Sequence, residues 1–535
     1  MIESIVTQLP ANDVDAGMAP RRSGRALRVA ARRTAGPSAA VRPGLAGGAY
    51  RPLSDRDLER IHETALDVLE RIGMGQATPE ILAVALPKGC TVTDGGRLLF
   101  PRALVEEMIE VAAKEITFHG RDPQRTIRSG GNRVYFATSG EAVRFVDPVT
   151  GEYRPSTLAD LYDFFRMADY LEHIDFCGQT VVATDVCEDA RRHAINIAYV
   201  GAAATTKPFS ISLADAANVA DVVAVWDTLL GEEGAFARRP FAAIGLCPVV
   251  SPLRFGPDTS GVLLEVARRG LILTACTAPQ AGATAPAALA GSLVQATAEA
   301  LAIIALANMV LPGTPVDFGP WPFVSDLRTG AFTGGSGEEA VLQAAAGQIA
   351  RFYGLPGVVA AGMTDAKRPD FQAGYEKALT VALSALSGGN MICEAAGMMG
   401  SLLGCSLEAM VLDNDMIGSV QRALRGIEVT DETLSFEVIR QTVEGPNHYL
   451  GHSQTLAMMQ TEYLYPKVAD RSPVSEWEVR GLPDVMVAAR KRVREIMGAH
   501  YPDYIDAAAE ARLRARFPIA LPREAMQPGD PRWRP

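Results

Sequence analysis

Beyond residue 174, short apolar runs rich in branched residues alternate with longer Ala-rich stretches of helical period. Eight runs stand out, at 174–183, 208–213, 241–246, 271–276, 315–319, 357–362, 391–394 and 410–413. Helical candidates lie between and after them, at 188–204, 216–230, 257–269, 285–310, 338–352, 371–386 and 415–424. Runs that are apolar throughout, rather than at every second position, mark strands covered on both faces. Eight such β-α repeats predict an α/β fold, a closed (β/α)8 TIM barrel over 174–430. The competing open, doubly wound sheet is weakened because no G-x-G-x-x-G follows the first strand.

The same patterning predicts two extensions. In the N-terminal one, 49–173, Ser54 caps a helix and Asp57 completes a capping box. Leu58, Ile61, Ala65, Val68, Leu69 and Ile72 then recur at helical spacing, giving one apolar face. The segment 133–140, followed by 143–146 and a turn at 147–151, reads as a β-hairpin-like unit whose Pro148 and Gly151 fix the turn. A C-terminal helical extension covers 431–535. Residues 1–48 hold seven arginines among Ala, Gly and Pro, too few large apolar groups to offset the entropy of ordering, so a flexible arm is expected. A basic docking arm for an acidic partner is the functional alternative.

Composition narrows the partners. The chain of 535 residues is 48% hydrophobic, enough for a full core, and its formal net charge of -11 repels phosphate backbones and anionic lipid. No nucleic acid and no membrane partner is expected. The most apolar stretch, 285–310, carries Gln295, Glu299 and Asn308 and reads as a helix inside a large domain. The start at Met1 shows no basic segment followed by an apolar one, and seven cysteines are scattered without a C-x-x-C pair. Both features point to a cytoplasmic protein whose thiols serve as small core residues.

In a (β/α)8 barrel the reacting groups come from the C-terminal ends of strands and the loops that follow. Those positions here include Asp185, Asp215, Thr277, Gln280, Trp321, Phe323, Asp326, Asp365, Glu394 and Asp413. They are rich in carboxylates and contain a local aromatic cluster, Phe318, Trp321 and Phe323. Ring faces and carboxylates both attract a methylammonium cation; Trp321 and Phe323 as plain plugs of the barrel mouth are the structural alternative. No metal site is expected. His448 and His452 have ligand-like spacing, but HExxH is missing and Gly451 weakens a helix there. The small-residue run Thr333 to Gly337 before Glu338 offers an anion site at a helix start, or a plain loop.

Several segments resemble the trimethylamine methyltransferase (MttB-like) family of corrinoid methyltransferases. They are Gly47 to Ser54 with Ile61, His62 and Glu63; Asp147 to Pro155 with Thr157, Asp160 and Leu161; Gly362 to Asp370 with Gln372, Ala373, Gly374 and Glu376; Gly388 to Asn390; and His448 to His452. Their order spans nearly the whole chain. The resemblance implies a TIM-barrel subunit that moves a methyl group from an amine to the Co(I) of a corrinoid carried by a separate protein. No cofactor would be bound tightly by this chain itself, and a homo-oligomer is expected. The pyrrolysine of trimethylamine-specific members falls within or near Gly362 to Asp365, where every residue here is ordinary. Members of this kind are associated with quaternary amines such as glycine betaine.

A quaternary ammonium leaves directly as a neutral amine, so it needs no covalent electrophile. On strand-end placement, Trp321, Phe323 and Tyr375 are expected to supply ring faces and Asp365 and Glu394 to balance the cation. Asn390, His448 or His452 would contact a substrate carboxylate. Two alternatives stay open: a lyase or hydrolase of the same barrel class using Asp365 and Glu394 as acid and base, and a non-catalytic betaine-binding protein.

Overall fold

The structure, a computed structural model, describes residues 40–148 and 150–533. The arginine-rich arm therefore lies outside the described residues, except for 40–48. The chain divides into two compact units, one comprising Val41–Gly426 with Pro466–Pro535 and the other containing Ile427–Tyr465.

The first unit is built on a parallel barrel. Its strands are β1 (Arg133–Thr138), β2 (Phe176–Gly178), β3 (Phe209–Ser212), β4 (Ala242–Leu246), β5 (Leu273–Ala275), β7 (Val358–Ala360) and β8 (Met391–Cys393). They form one hydrogen-bonded path in the order β5-β4-β3-β2-β1-β8-β7. The segment 316–318, numbered β6, fills the remaining position with the parallel bridges Leu273↔Val316 and Phe318↔Gly357. Backbone bonds on both sides, Asp317 N to Leu273 O at 3.1 Å and Val358 N to Phe318 O at 3.0 Å, close the cylinder. A helix follows each strand: α1 (Leu158–Tyr170), α2 (Ala190–Ala204), α3 (Asn218–Leu230), α4 (Pro257–Arg268), α5 (Leu289–Val310), α6 (Gly337–Phe352), α7 (Phe371–Ser387) and α8 (Leu407–Arg425).

The expected barrel is present, shifted by one repeat. Residues 133–138 are not a hairpin arm but the first strand, and 410–413, expected to be the last, lie inside α8. A short apolar run in a buried helix carries no period that separates it from a strand. The turn at 147–151 does close a hairpin, between Arg144–Val146 and Tyr153–Pro155. In the N-terminal helix, Asp55–Asp67, the Ser54 and Asp57 capping box forms. Val68–Ile72 then continues as a π-helical turn, and the extra residue per turn rotates Ile72 outward to 49% exposure. Residues 41–48, expected within the arm, are tied down: Leu45–Ala46 pairs antiparallel with β1. The 22-residue α5 is long and apolar enough to cross a membrane by composition. It is buried around most of its circumference and packs against the helices Asp55–Asp67 and Arg102–Val111.

Side-chain size divides the barrel interior into two zones. At the N-terminal end, Tyr135, Phe176, Ile272, Val358 and Met391 pack with Ile116, Phe118 and Ile127 of a hairpin that plugs the cylinder. Toward the C-terminal end the inward positions shrink to Ser210, Ser212, Gly245 and Thr274, and the last three keep accessible surface. That surface belongs to a polar cavity under the mouth. Close strand approach also requires Gly178, where a Cβ would fall 2.1 Å from the Thr138 carbonyl oxygen.

Asn390 sits at the plugged end, just before β8. Its Nδ2 donates to Gly131 O (3.1 Å) and Arg133 O (2.8 Å), and its Oδ1 accepts from Gly357 N at 2.9 Å. The side chain thus clasps β8 to the starts of β1 and β7. Asn390→Ala strands the buried Gly357 N–H and frees two part-buried carbonyls, and is expected to cost about 1–3 kcal/mol while leaving the substrate KM unchanged. Denaturant midpoints and kinetics check this; a raised KM at unchanged stability would restore Asn390 as a substrate contact.

Candidate active site

Three glutamates meet at the C-terminal mouth of the barrel. Glu141 follows β1, Glu394 immediately follows β8, and Glu339 lies in the first turn of α6. Strands β1 and β8 are hydrogen-bonded neighbours. Glu141 (φ +48°) and Glu394 (φ +64°) both hold left-handed backbone, a conformation that costs a side-chain-bearing residue about 1 kcal/mol or more. The scaffold holds this strain in place, and it turns both carboxylates toward the cavity.

Their electrostatics are unusual. Oε2 of Glu394 and both carboxylate oxygens of Glu339 are buried without a hydrogen-bond partner among the described residues. Burial above all raises the Glu394 carboxyl, to about 8, with Lys377 opposing the shift and nearby Glu141 adding to it. Burial, then the charges of Glu394, Asp365 and Glu376, hold Glu339 well above the usual carboxylate range. Glu141 is also raised by burial, though it accepts a bond from Ser212 Oγ. Deeper in the barrel, Asp317 has both oxygens unpartnered and is raised by burial alone. Burial favours the protonated forms of these acids, and an enclosed cation would favour their ionised forms.

The paired carboxylates nearby show the contrast. Glu299 of α5 accepts from Ser251 Oγ (2.7 Å), Leu253 N (2.8 Å), Gln295 Nε2 (3.0 Å) and Thr277 Oγ1. On α7, Glu376 accepts from Asp365 N (2.8 Å), Gln372 Nε2 (2.8 Å) and Thr364 Oγ1, which pins the loop after β7. The next residue, Lys377, donates to Gly362 O (2.7 Å) and Asp413 (3.0 Å), and Asp413 accepts from Gly397 N at 2.8 Å. One helix turn therefore fixes the loops on both sides of Glu394.

The expected site residues separate into groups. Glu394 lies in the cavity. Asp365 is near enough to Glu339 to raise it, and its Oδ1 accepts from Gly334 N (2.8 Å) and Ser401 Oγ (2.6 Å), bonds that brace the loops around it. Trp321 reaches inward against the interior cluster, with Nε1 on Val358 O at 3.1 Å. Phe323 is buried edge-on between Trp321 and Phe332. Tyr375 is half exposed in the second turn of α7, its ring tilted against Phe371 and its hydroxyl donating to Glu376 at 3.4 Å. His448 and His452 belong to the unit 427–465, where His448 is exposed and His452 Nδ1 caps the helix Ser453–Thr461 by accepting from Gln454 N at 3.1 Å. The run 333–337 is no anion site. Gly335 presses so closely on Glu376 that a Cβ would meet its carboxylate at 2.6 Å.

Glu141 was missed in the sequence because 133–138 reads as a hairpin, although it follows that apolar run as Glu394 follows 391–393. Glu339 was missed because a glutamate in a first helical turn is ordinarily solvated. Among the described residues no three His, Cys, Asp or Glu side chains group as metal ligands. Two surface clefts, of about 170 and 690 Å3, share no residue with the mouth.

Fold and site together define a barrel enzyme with an acidic, partly aromatic pocket at its catalytic end. The chain belongs to the trimethylamine methyltransferase (MTTB) family, whose model matches residues 21–519, and it is a methyltransferase. It is 29% identical to a glycine betaine methyltransferase of Desulfitobacterium hafniense strain Y51, over 87% of this chain and 96% of that one. It is 32% identical to a trimethylamine methyltransferase of D. hafniense DCB-2 (88% and 93% covered) and 31% identical to one of Methanosarcina thermophila (85% and 94%). Membership sets aside the lyase, hydrolase and non-catalytic readings.

The Glu394 shift has a stability consequence. The folded state holds this proton up to about pH 8, whereas the unfolded chain releases it near the ordinary carboxylate value. Stability is therefore lost as pH rises between those values. Glu394→Gln does not titrate, so its stability relative to the parent is expected to grow from pH 5 to 8, by on the order of a few kcal/mol. Denaturant midpoints at both pH values check this; a difference independent of pH would contradict it.

Proposed function

We propose that the protein moves a methyl group from a small quaternary amine, such as glycine betaine, to the Co(I) of a corrinoid carried by a separate protein. The observation that carries this reading is the set of buried, partner-free carboxylate oxygens at the mouth. A quaternary ammonium donates no hydrogen bond. It is complemented by charge and by ring faces, the two features that Glu141, Glu339, Glu394 and Trp321 supply. The ordinary residues at Gly362 to Asp365 support a donor that needs no added electrophile.

The carbon–nitrogen bond breaks with its electron pair left on nitrogen, giving a neutral tertiary amine, so no proton transfer is needed at that step. Positive charge on nitrogen falls as the bond breaks. Carboxylates around it therefore favour the bound substrate over the transition state and contribute to affinity rather than to rate. Rate comes from aiming the methyl group out of the barrel in line with the acceptor, and from keeping water away. The apolar side chains of Ile427, Val429, Leu434, Phe436, Val443 and Leu450, all more than 60% exposed on the unit 427–465, support a partner chain, since surface of this kind is commonly covered in a complex.

Turnover of quaternary amines with a reduced corrinoid protein, followed by corrinoid absorbance and by the demethylated product, tests the reading. Product is expected only when both are present; product without the corrinoid protein, or none from any quaternary amine, would refute it. Glu394→Gln is expected to raise KM about tenfold or more with kcat within a few fold of the parent, as an affinity contact does. Trp321→Ala is expected to raise KM similarly; an unchanged KM would remove that ring from the site.

A further inference from the structure

Cys247 and Cys276 have no role in the methyl transfer just described, yet the barrel brings them together. Strands β4 and β5 run parallel in the register Leu246↔Ala275, and Cys276 N donates to Leu246 O at 3.1 Å. The next residues, Cys247 and Cys276, therefore leave adjacent strands side by side. Both continue the inward series that runs through Ala243 and Gly245 on one strand and Ile272 and Thr274 on the other. Neighbouring strands lie about 4.8 Å apart, inside the Cα separation that a disulfide accepts. Cys247 Sγ donates to Val249 O at 3.4 Å and Cys276 Sγ to Leu246 O at 3.9 Å, and the two thiols are close enough to shift each other's ionisation.

Both thiols also open into the cavity. Cys247 is exposed and Cys276 half-buried, although each lies deep in the protein, whereas Cys90, Cys177, Cys393 and Cys405 are buried outright. Cys276 is near enough to Glu394 to feel its charge. The sequence pattern marks these cysteines as core thiols; the barrel makes this pair part of a cavity wall.

We propose that Cys247 and Cys276 form a dithiol modification site on the wall of the reaction cavity, which closes to a disulfide by exchange with small disulfides and chelates trivalent arsenicals. Cys247 attacks first, being the more exposed of the two and the one whose pKa the neighbouring thiol lowers, while that of Cys276 is raised. Attack on oxidised glutathione forms a mixed disulfide and releases one glutathione. Cys276 then displaces the second glutathione, its proton leaving with that thiol. In sum, two protein thiols are oxidised to one disulfide and the small disulfide is reduced to two thiols. With phenylarsine oxide, two sulfur–arsenic bonds form and one water leaves, with no change of oxidation state.

The test uses the reduced full-length protein treated with phenylarsine oxide, dialysed against a monothiol and weighed intact, with thermal denaturation confirming that each variant is folded. The parent is expected to retain a stoichiometric amount that a dithiol removes, with loss of retention in Cys247→Ser and in Cys276→Ser. Retention by a folded single variant equal to the parent's, or none by the parent, would overturn the proposal. Peptide mapping of the parent after oxidised glutathione gives a second reading that needs no variant. A Cys247–Cys276 linkage is expected, and a lasting glutathione adduct on Cys247 beside a free Cys276, or an unmodified pair, would overturn it.

Discussion

The structure depends on carboxylates held inside a barrel with no hydrogen-bond partner among the described residues for several of their oxygens. Burying an ionised carboxylate alone costs several kcal/mol, so such a group takes up a proton unless a cation arrives. Glu339, Glu394 and Asp317 are in that position, and none of them can be explained as part of the fold's hydrogen bonding. Glu299, equally buried, is fully engaged and belongs to the scaffold. The difference between engaged and unengaged glutamates marks where the proposed cation site would draw on stability given up by the fold.

The rest of the molecule can be understood as what keeps those acids in place. The plugged N-terminal end makes the cylinder rigid, and small inward residues above the plug leave room for a ligand. Left-handed backbone at Glu141 and Glu394 persists because strand pairing below it and pinned loops around it leave no relaxed alternative. Glu376 and Lys377, consecutive on α7, hold the loops after β7 and β8 in one arrangement. A cation balanced by fixed charges is bound without being activated, which suits a donor whose leaving group departs as a neutral amine.

Much of the barrel was legible in the sequence, because seven of its eight strand positions are continuous apolar runs separated by Ala-rich helices. The first was lost to a local ambiguity: 133–138 lies close to a true hairpin, and only its parallel pairing with β2 and β8 reveals it. That one misplacement hid Glu141. Glu394 and Trp321 could be placed at the mouth because strand-end position is visible in the chain. Glu339 and the Cys247–Cys276 pair could not, since burial of a first-turn glutamate and the register of two strands are set by tertiary packing. Asn390 and Asp365 have the right chemistry for a site and are spent on clasping strands and loops, a distinction that only hydrogen-bond partners disclose.

The central claim, that neutral buried acids ionise to hold a quaternary ammonium, is tested most directly by calorimetric titration of the amine that the protein demethylates. Titrations at pH 7 in buffers of different ionisation enthalpy report protons exchanged on binding. Net proton release is expected, with affinity rising toward pH 8 as Glu394 gives up its proton without help. Binding with no proton release and an affinity independent of pH from 6 to 8 would contradict the account.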